Sequence, residues 1–464
     1  MGLIESFSGI RGIYSKSLTD LVAVQYTHEF YNFLKRKNKK TNATIVIGRD
    51  TRPSGQHILD SIINLVDANF INVGIMPTPG VEFAVRNFEA DGGIMITASH
   101  NEPMWNGFKF LDNDGGILSG KDMDILINSH KSFKNFHRIQ ERRIADKRNE
   151  TNERYIEFVL DVIGKKDIEK IRNAGLKVVI DPNGGAGAIA ESMLKKAGVD
   201  VVAVNSEYGT FKRKVEPNEE SLKYLQKDIN EENADFAAGF DCDADRVEIL
   251  MKNGEILDGN YILALSVQDV LSRQKEPKHK FVVVNDATSG VVNEIVKNFG
   301  AKLVEVEVGE TNVVHQMYKL KAVIGGEGSS GGVILPPSRC RDGMMTLMNV
   351  LAIIAKERKP LHQIAGGLPK YYTLKAKIEF DAEKHGSIKD HLKKYYSRNG
   401  FQIKETGGIK GGLKAQKGNS FVWFRASKTE GNVFRIIIDS KDKTEAENLL
   451  NEALKVFNDG NSSR

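Results

Sequence analysis

Gly93-Ile94-Met95-Ile96-Thr97-Ala98-Ser99-His100-Asn101-Glu102-Pro103, with Asn106-Gly107-Phe108-Lys109 close behind, reads as a buried strand running into a small polar loop. A short continuous apolar run bounded by turn residues has the pattern of a strand covered on both faces. Such a strand delivers the Ser99 hydroxyl to the carboxyl edge of a sheet, where open α/β sheets hold their ligands. Most loop serines cap a helix or close a local turn, so Ser99 acquires a chemical reading only from partners elsewhere in the chain. A Ser–His hydrolase pair is a poor reading. Successive side chains of an extended chain point to opposite faces, and no G-x-S-x-G elbow surrounds Ser99.

Working outward, one pattern recurs. Thr44–Asp50 is a strand, Thr51-Arg52-Pro53-Ser54-Gly55 turns, and a helix follows near Gln56–Val66. Lys177–Asp181 leads through Pro182-Asn183-Gly184-Gly185-Ala186-Gly187 into a helix ending near Lys196, then a strand Val199–Asn205. Phe281–Asp286 leads through Ala287-Thr288-Ser289-Gly290 into a helix to Phe299 and a strand Lys302–Val308. Strand, small-residue loop and helix form the unit that builds a parallel sheet. Three copies about a hundred residues or more apart imply three like domains, not a short-period solenoid.

Each copy also has a later apolar strand entering an unusual loop: the Ser99 loop, Asp241-Cys242-Asp243-Ala244-Asp245-Arg246 after Asp235–Phe240, and Gly325–Gly332 after Ala322–Ile324. If the domains are copies, the three loops occupy equivalent places and converge on one cleft. After a helix at Met344–Lys356, the last quarter changes character. It reads as strands Thr373–Phe380, Ser420–Phe424 and Val433–Asp439, a helix and a Gly/Lys-rich turn (Gly407–Gly412) between the first two, and a closing helix Thr444–Phe457. The expected fold is α/β: three similar domains with mixed or parallel sheets and a smaller α+β C-terminal domain around a central cleft. The expected divisions are 1–150, 151–254, 255–368 and 369–464.

The Asp241, Asp243 and Asp245 loop carries the strongest chemistry. At ~4–5 Å and an effective dielectric near 20, each close carboxylate pair costs about 3–4 kcal/mol. Surface charge runs escape by splaying into water; the apolar strand before this loop and the small Ala244 oppose that. A hard divalent cation relieves the repulsion, and an all-oxygen donor set points to Mg²⁺. The EF-hand pattern, with its twelfth-position Glu, is missing. Arg246, next to the triad, suits a transferring phosphoryl group. In Arg425-Ala426-Ser427-Lys428-Thr429, two cations and two hydroxyls suit a dianionic phosphate, with a solvated basic turn as the even alternative.

Composition sets the bounds. A chain of 464 residues exceeds one core, and its 40% hydrophobic and 27% charged content fit a globular protein. No stretch approaches a membrane span of ~18 apolar residues, and the N-terminus lacks a signal-peptide pattern. Gly2 and Ser6 match the loose myristoylation pattern, but Phe7–Gly12 reads as part of the working site. Two cysteines, Cys242 and Cys340, make no disulfide framework and point to a reducing cytoplasm. A net charge of +5 favours anionic ligands without singling out nucleic acid. The run Lys35–Lys40 reads as a solvated helix end. Gly184, Gly185 and Gly187 read as structural, and His315 as packed within a helix. Arg341-Asp342-Gly343 orients a neighbouring loop or forms an N-cap with an ion pair; Glu310 tunes specificity or caps a helix.

These four loops, in this order, resemble those of the α-D-phosphohexomutases: phosphoserine loop Thr97–Lys109, metal loop Asp241–Arg246, sugar loop Gly326–Gly332 and phosphate loop Arg425–Gly431. The resemblance covers all four expected domains and implies a heart-shaped molecule whose fourth domain closes over the cleft. It implies a phosphohexomutase, an isomerase by intramolecular phosphotransfer, interconverting hexose or hexosamine 1- and 6-phosphates through a phosphoserine and a bisphosphorylated sugar. The phosphoryl group starts on Ser99, and one Mg²⁺ is held by Asp241, Asp243, Asp245 and the Ser99 phosphoryl oxygen. Glu327 and Ser329 take sugar hydroxyls, Arg425, Ser427, Lys428 and Thr429 the distal phosphate, and Arg11 and Lys109 the reacting one. Lys109, His100 and Arg246 are the catalytic candidates beside Ser99. A sugar bisphosphate is the expected activator, and a cytoplasmic monomer or homodimer without nucleic-acid or membrane partners is expected. Where many members carry a His after the small residues of the sugar loop, this chain has Gly332; Cys242 stands where Gly is common. A phosphoserine-type sugar phosphatase and an inactive sugar-phosphate sensor are the alternatives. The former usually needs a second metal and His ligands, and the intact Ser99 and Asp triad oppose the latter.

Overall fold

Apolar runs of four to six residues become the central strands here, and small polar residues at their ends become the loops that carry the chemistry. The computed structural model describes the chain except Met1 and residues 132, 134–142, 329–330, 409–410, 428–431 and 463–464. Ser329, Lys428 and Thr429 therefore lie outside the described residues. The chain forms two compact units, Met1–Ile262 with Ser330–Ala365, and Leu263–Ser329 with Gly366–Arg464. Among the described residues no helix is long and apolar enough to cross a membrane.

The first unit contains two sheets. One is seven-stranded, in the order Ile4–Ser6, Gly9–Ile13, Trp105–Leu111, Gly92–Ile96, Thr44–Arg49, Asn69–Ile75 and Ile144–Asp146. Gly92–Ile96 runs parallel to Thr44–Arg49 and antiparallel to Trp105–Leu111. The loop carrying Ser99 is thus the connection of an antiparallel pair beside a parallel strand. The five-stranded second sheet repeats this. Phe236–Phe240 is parallel to Lys177–Asp181 and antiparallel to Val247–Met251, and residues 241–246 connect the antiparallel pair. The repeated topology puts the Ser99 loop and the aspartate loop at corresponding sheet edges.

Packing follows the sequence. The helix Asp20–Asn38 is capped by the Thr19 hydroxyl, buries Tyr26, Phe30 and Leu34, and ends in Lys35, Arg36 and Lys37, of which Arg36 and Lys37 are exposed. It covers the first sheet's core with Ile45, Ile47, Ile94, Phe108 and Phe110. Gly343–Glu357 is buried almost all round, and Asp342 caps it by accepting from Met345 N.

The second unit holds the parallel strands Lys302–Val306, Phe281–Asn285 and Ile324–Gly326, and an antiparallel five-stranded sheet ordered Tyr372–Glu379, Val433–Ser440, Ser420–Ala426, Leu413–Lys417 and Gln402–Glu405. Three expectations change here. Gln402–Glu405 and Leu413–Lys417 form a hairpin that the sequence pattern does not announce. The third-copy strand is Ile324–Gly326 instead of Ala322–Ile324, because Gly325 and Gly326 pair with Val283 and Val284. His315, expected to be packed, is exposed on the helix Glu310–Leu320, whose inner face carries Val313, Val314 and Met317.

Candidate active site

The Ser99 loop begins where Ile96 leaves its sheet. Ser99 has a left-handed backbone (φ 51°), not the extended one expected, and is 1% exposed. Its Oγ donates to Asp241 Oδ2 at 3.1 Å. The serine and the aspartate loop, 142 positions apart, therefore meet in one buried place.

Asp241, Asp243 and Asp245 are 0–1% exposed, and each offers a carboxylate oxygen within 4.8 Å of the others. Lys109 Nζ donates to Asp243 Oδ2 at 2.6 Å and Asp245 Oδ2 at 2.8 Å. Thr78 Oγ1 donates to Asp243 Oδ2, and Arg341 Nη2 to Asp245 Oδ2 at 3.3 Å. Arg246 N donates to Asp241 Oδ1 at 3.2 Å, while its guanidinium reaches Glu216 at 2.9 Å and lies 3.7 Å from Asp245. Burial, then Asp245 and Asp243, push the Asp241 carboxyl well above the usual carboxylate range. Burial acts the same way on Asp245, but Lys109, Arg341 and Arg246 outweigh it and hold that carboxyl low.

A cation fits this donor set by a direct criterion. Asp243 Oδ1 and Asp245 Oδ1 are buried with no hydrogen-bond partner. An orphaned buried carboxylate oxygen is costly. An ion held by the triad would satisfy both.

Other sequence candidates lie around this cluster. Arg11 Nη1 donates to Asn101 Oδ1 at 2.8 Å, and burial with the neighbouring Arg246 lowers its pKa to about 10. The buried His100 Nδ1 has no partner, and desolvation followed by Arg246 and Arg11 holds the imidazole well below its usual pKa. Cys242 turns away from the carboxylates; its Sγ lies 3.7 Å from Thr51 Oγ1. Gly332 has φ +123°, and a Cβ there would stand 2.5 Å from the Asp245 carbonyl oxygen, so the backbone excludes a histidine from this position.

Glu327 and Arg425 belong to the second unit, in a polar cluster of its own. Glu327 Oε1 accepts from Asn285 Nδ2 at 3.0 Å and Gly309 N at 2.7 Å. Arg425 pairs with Glu307 at 3.0 Å, and Ser427 N donates to Val433 O at 2.7 Å. Glu310 opens its helix in the first turn after Gly309.

Two residues that matter at the cluster were given no catalytic or binding role from the sequence. Arg341 pairs with Asp245 beside its capping neighbour Asp342. Arg52 lies wholly buried behind the serine loop. A cation next to a cap was visible for Arg341; for Arg52 the nearby Asp50 offered an ion pair, but nothing local marked the four loop carbonyls it also holds.

The chain resembles known proteins along nearly its whole length. Residues 5–135, 153–254 and 258–372 match the phosphoglucomutase/phosphomannomutase alpha/beta/alpha domains I, II and III. A phosphoglucomutase/phosphomannomutase of Thermococcus kodakarensis is 33% identical over 98% of this chain and 99% of its own. A probable phosphoglucosamine mutase of Pyrococcus abyssi is 30% identical over 99% and 98%. A phosphoglucomutase/phosphomannomutase family protein from Burkholderia thailandensis shares the fold, with a TM-score of 0.82 at 21% identity over 99% of this chain and 98% of that one. With three domains matched in order and relatives aligned along nearly its whole length, the chain belongs to the phosphoglucomutase/phosphomannomutase family of α-D-phosphohexomutases and is a phosphotransferring mutase.

Proposed function

We propose that this enzyme interconverts the 1- and 6-phosphates of a hexose or hexosamine by way of a phosphoryl group on Ser99. The observation that carries the reading is the hydroxyl of a buried serine, 3.1 Å from a three-aspartate cluster that keeps two buried oxygens unpaired. Asp241, Asp243 and Asp245 would hold a Mg²⁺ ion, which when bound neutralises charge on the transferring group. In the first half-reaction the Ser99 Oγ–P bond breaks as the sugar hydroxyl forms a new O–P bond. The hydroxyl proton passes to His100, whose buried Nδ1 has no hydrogen-bond partner; Lys109, already an ammonium donating to Asp243 and Asp245, serves as a charge partner. The bisphosphorylated sugar turns end for end and returns its other phosphoryl group to Ser99. Arg11 and Arg246 balance charge around the reacting group. Glu327, with Ser329, takes sugar hydroxyls, and Arg425, Ser427, Lys428 and Thr429 take the distal phosphate. The relatives named for glucose, mannose and glucosamine phosphates set the substrates to be compared.

The test pairs intact-mass measurement with parallel assays of glucose, mannose and glucosamine 1-phosphates, given Mg²⁺ and a trace of sugar bisphosphate. Ser99→Ala is expected to lose the gain of one phosphoryl group and the isomerisation together. Retention of either in that variant overturns the role of Ser99. Release of free phosphate without isomer identifies a phosphatase.

A further inference from the structure

Arg52 spends all five of its N–H donors on two jobs. Nε binds Asp50 Oδ2 at 3.0 Å. Nη1 donates to the carbonyls of Glu102 (2.7 Å) and Trp105 (3.0 Å), and Nη2 to those of Ser99 (2.5 Å) and Asn101 (2.6 Å). The guanidinium is planar and its fork rigid, so four carbonyls of one loop are held in a common plane. Its charge is balanced in the interior by Asp50, 0% exposed.

Asp50 reaches the same loop by a second route. Its Oδ2 accepts from Thr97 Oγ1 at 2.7 Å, and Thr97 Oγ1 accepts from Ser99 N at 2.8 Å. Ser99 is therefore tied at both its N–H and its C=O. A left-handed backbone costs a non-glycine residue roughly 1–2 kcal/mol and persists only where the surroundings over-determine it. The two ties supply that determination and leave χ1 as the main freedom of the hydroxyl.

The device recurs at the matching edge of the second sheet. Arg213 Nε binds Asp181 Oδ2 at 2.6 Å, and Nη2 donates to the carbonyl of Phe240 at 2.8 Å, one residue before Asp241. In both sheets a buried aspartate ends a strand, or directly follows it, and an arginine carries its hold to the loop leaving the parallel neighbour.

We propose that Asp50–Arg52 is a positioning pair that sets the backbone of Ser99 so that its hydroxyl faces the aspartate cluster in register for phosphoryl transfer. This rests on the reading of Ser99 as the phosphoryl carrier. A misplacement of ~1 Å in such a step is worth on the order of 100-fold in rate.

The experiment compares the full chain with Arg52→Lys, which keeps the charge and loses the fork. Expected are the cooperative unfolding transitions of the parent, a kcat and a rate of phosphoryl loading from sugar bisphosphate each down about 100-fold, and KM within about threefold. Amides of residues 98–106 should exchange with deuterium about tenfold faster, with the rest of the chain unchanged. Should that variant not fold, Thr97→Val cuts the second tie at equal volume and is read in the same way. Unchanged exchange of 98–106, or a raised KM with kcat intact, overturns the proposal. Absence of phosphoryl on Ser99 of the unmodified enzyme overturns the carrier reading alone; exchange of 98–106 then still decides whether Arg52 fixes the loop.

Discussion

Lys109 places one ammonium between Asp243 and Asp245 in an interior that offers little water to either carboxylate. Removing one partner of such a group leaves uncompensated charge, at a cost of about 3–5 kcal/mol. Lys109→Met is thus expected to lose stability on that scale in urea unfolding and to lose activity by at least about 100-fold. Millimolar Mg²⁺ should restore part of the stability, because a bound cation replaces the missing charge. A variant as stable as the parent without metal would contradict the assignment. At this scale the site was partly legible. Ser99 and the three aspartates stood out because their residue types are unfavourable together unless something joins them. Arg52 did not, since besides Asp50 its partners are four main-chain oxygens whose positions exist only once the loop has folded. Arg341 lay between, readable as an ion pair but with no hint that its partner was Asp245.

Helix Thr78–Asn87 reaches the cluster through Thr78, which donates to Asp243, and holds the segment before Asp342 through Glu82, which accepts from Arg86, from Arg339 N at 2.6 Å and from Cys340 Sγ at 3.2 Å. Burial drives the Glu82 pKa up to about 8, against the pull of Arg86 and the Cys340 thiol. The folded chain therefore keeps a proton that an unfolded glutamate, ordinarily near 4.5, gives up. Stability falls as pH rises between those two values and levels off above the higher one, at about 1.4 kcal/mol per pH unit where the proton difference is complete. Urea midpoints at pH 5.5 and 8.5 should differ less in Glu82→Gln than in the parent. Asp342, raised to about 6 by burial, adds a slope of the same sign at lower pH in both proteins. A second element-level test concerns the loop before Val333–Ile334. Gly332→His should lose about 1–3 kcal/mol from its positive φ and gain no turnover, as measured by urea unfolding and kcat. Most elements were legible because their apolar runs are continuous. The hairpin Gln402–Glu405/Leu413–Lys417 was not: its first strand is largely exposed and its lysines mask the alternation.

At the scale of the molecule, two units with separate cores imply that a single unfolding free energy does not describe the chain. Calorimetry should resolve two transitions. Mg²⁺ should raise the one belonging to Met1–Ile262 with Ser330–Ala365, where the triad lies, by linkage to the folded state. A metal shift confined to the other transition would contradict the assignment of the triad. The three-copy organisation was readable from the recurring strand–loop–helix unit; the return of residues 330–365 to the first unit was not, because nothing local marks which core a buried helix joins. That return has a consequence during synthesis. Arg341, which faces Asp245, leaves the ribosome only after the whole 263–329 segment of the other unit has emerged. At about 5–20 residues per second, the nascent aspartate hairpin waits several seconds for that guanidinium, so early intermediates leave Asp245 without one of its cations, and the first unit closes only when translation is nearly four-fifths done.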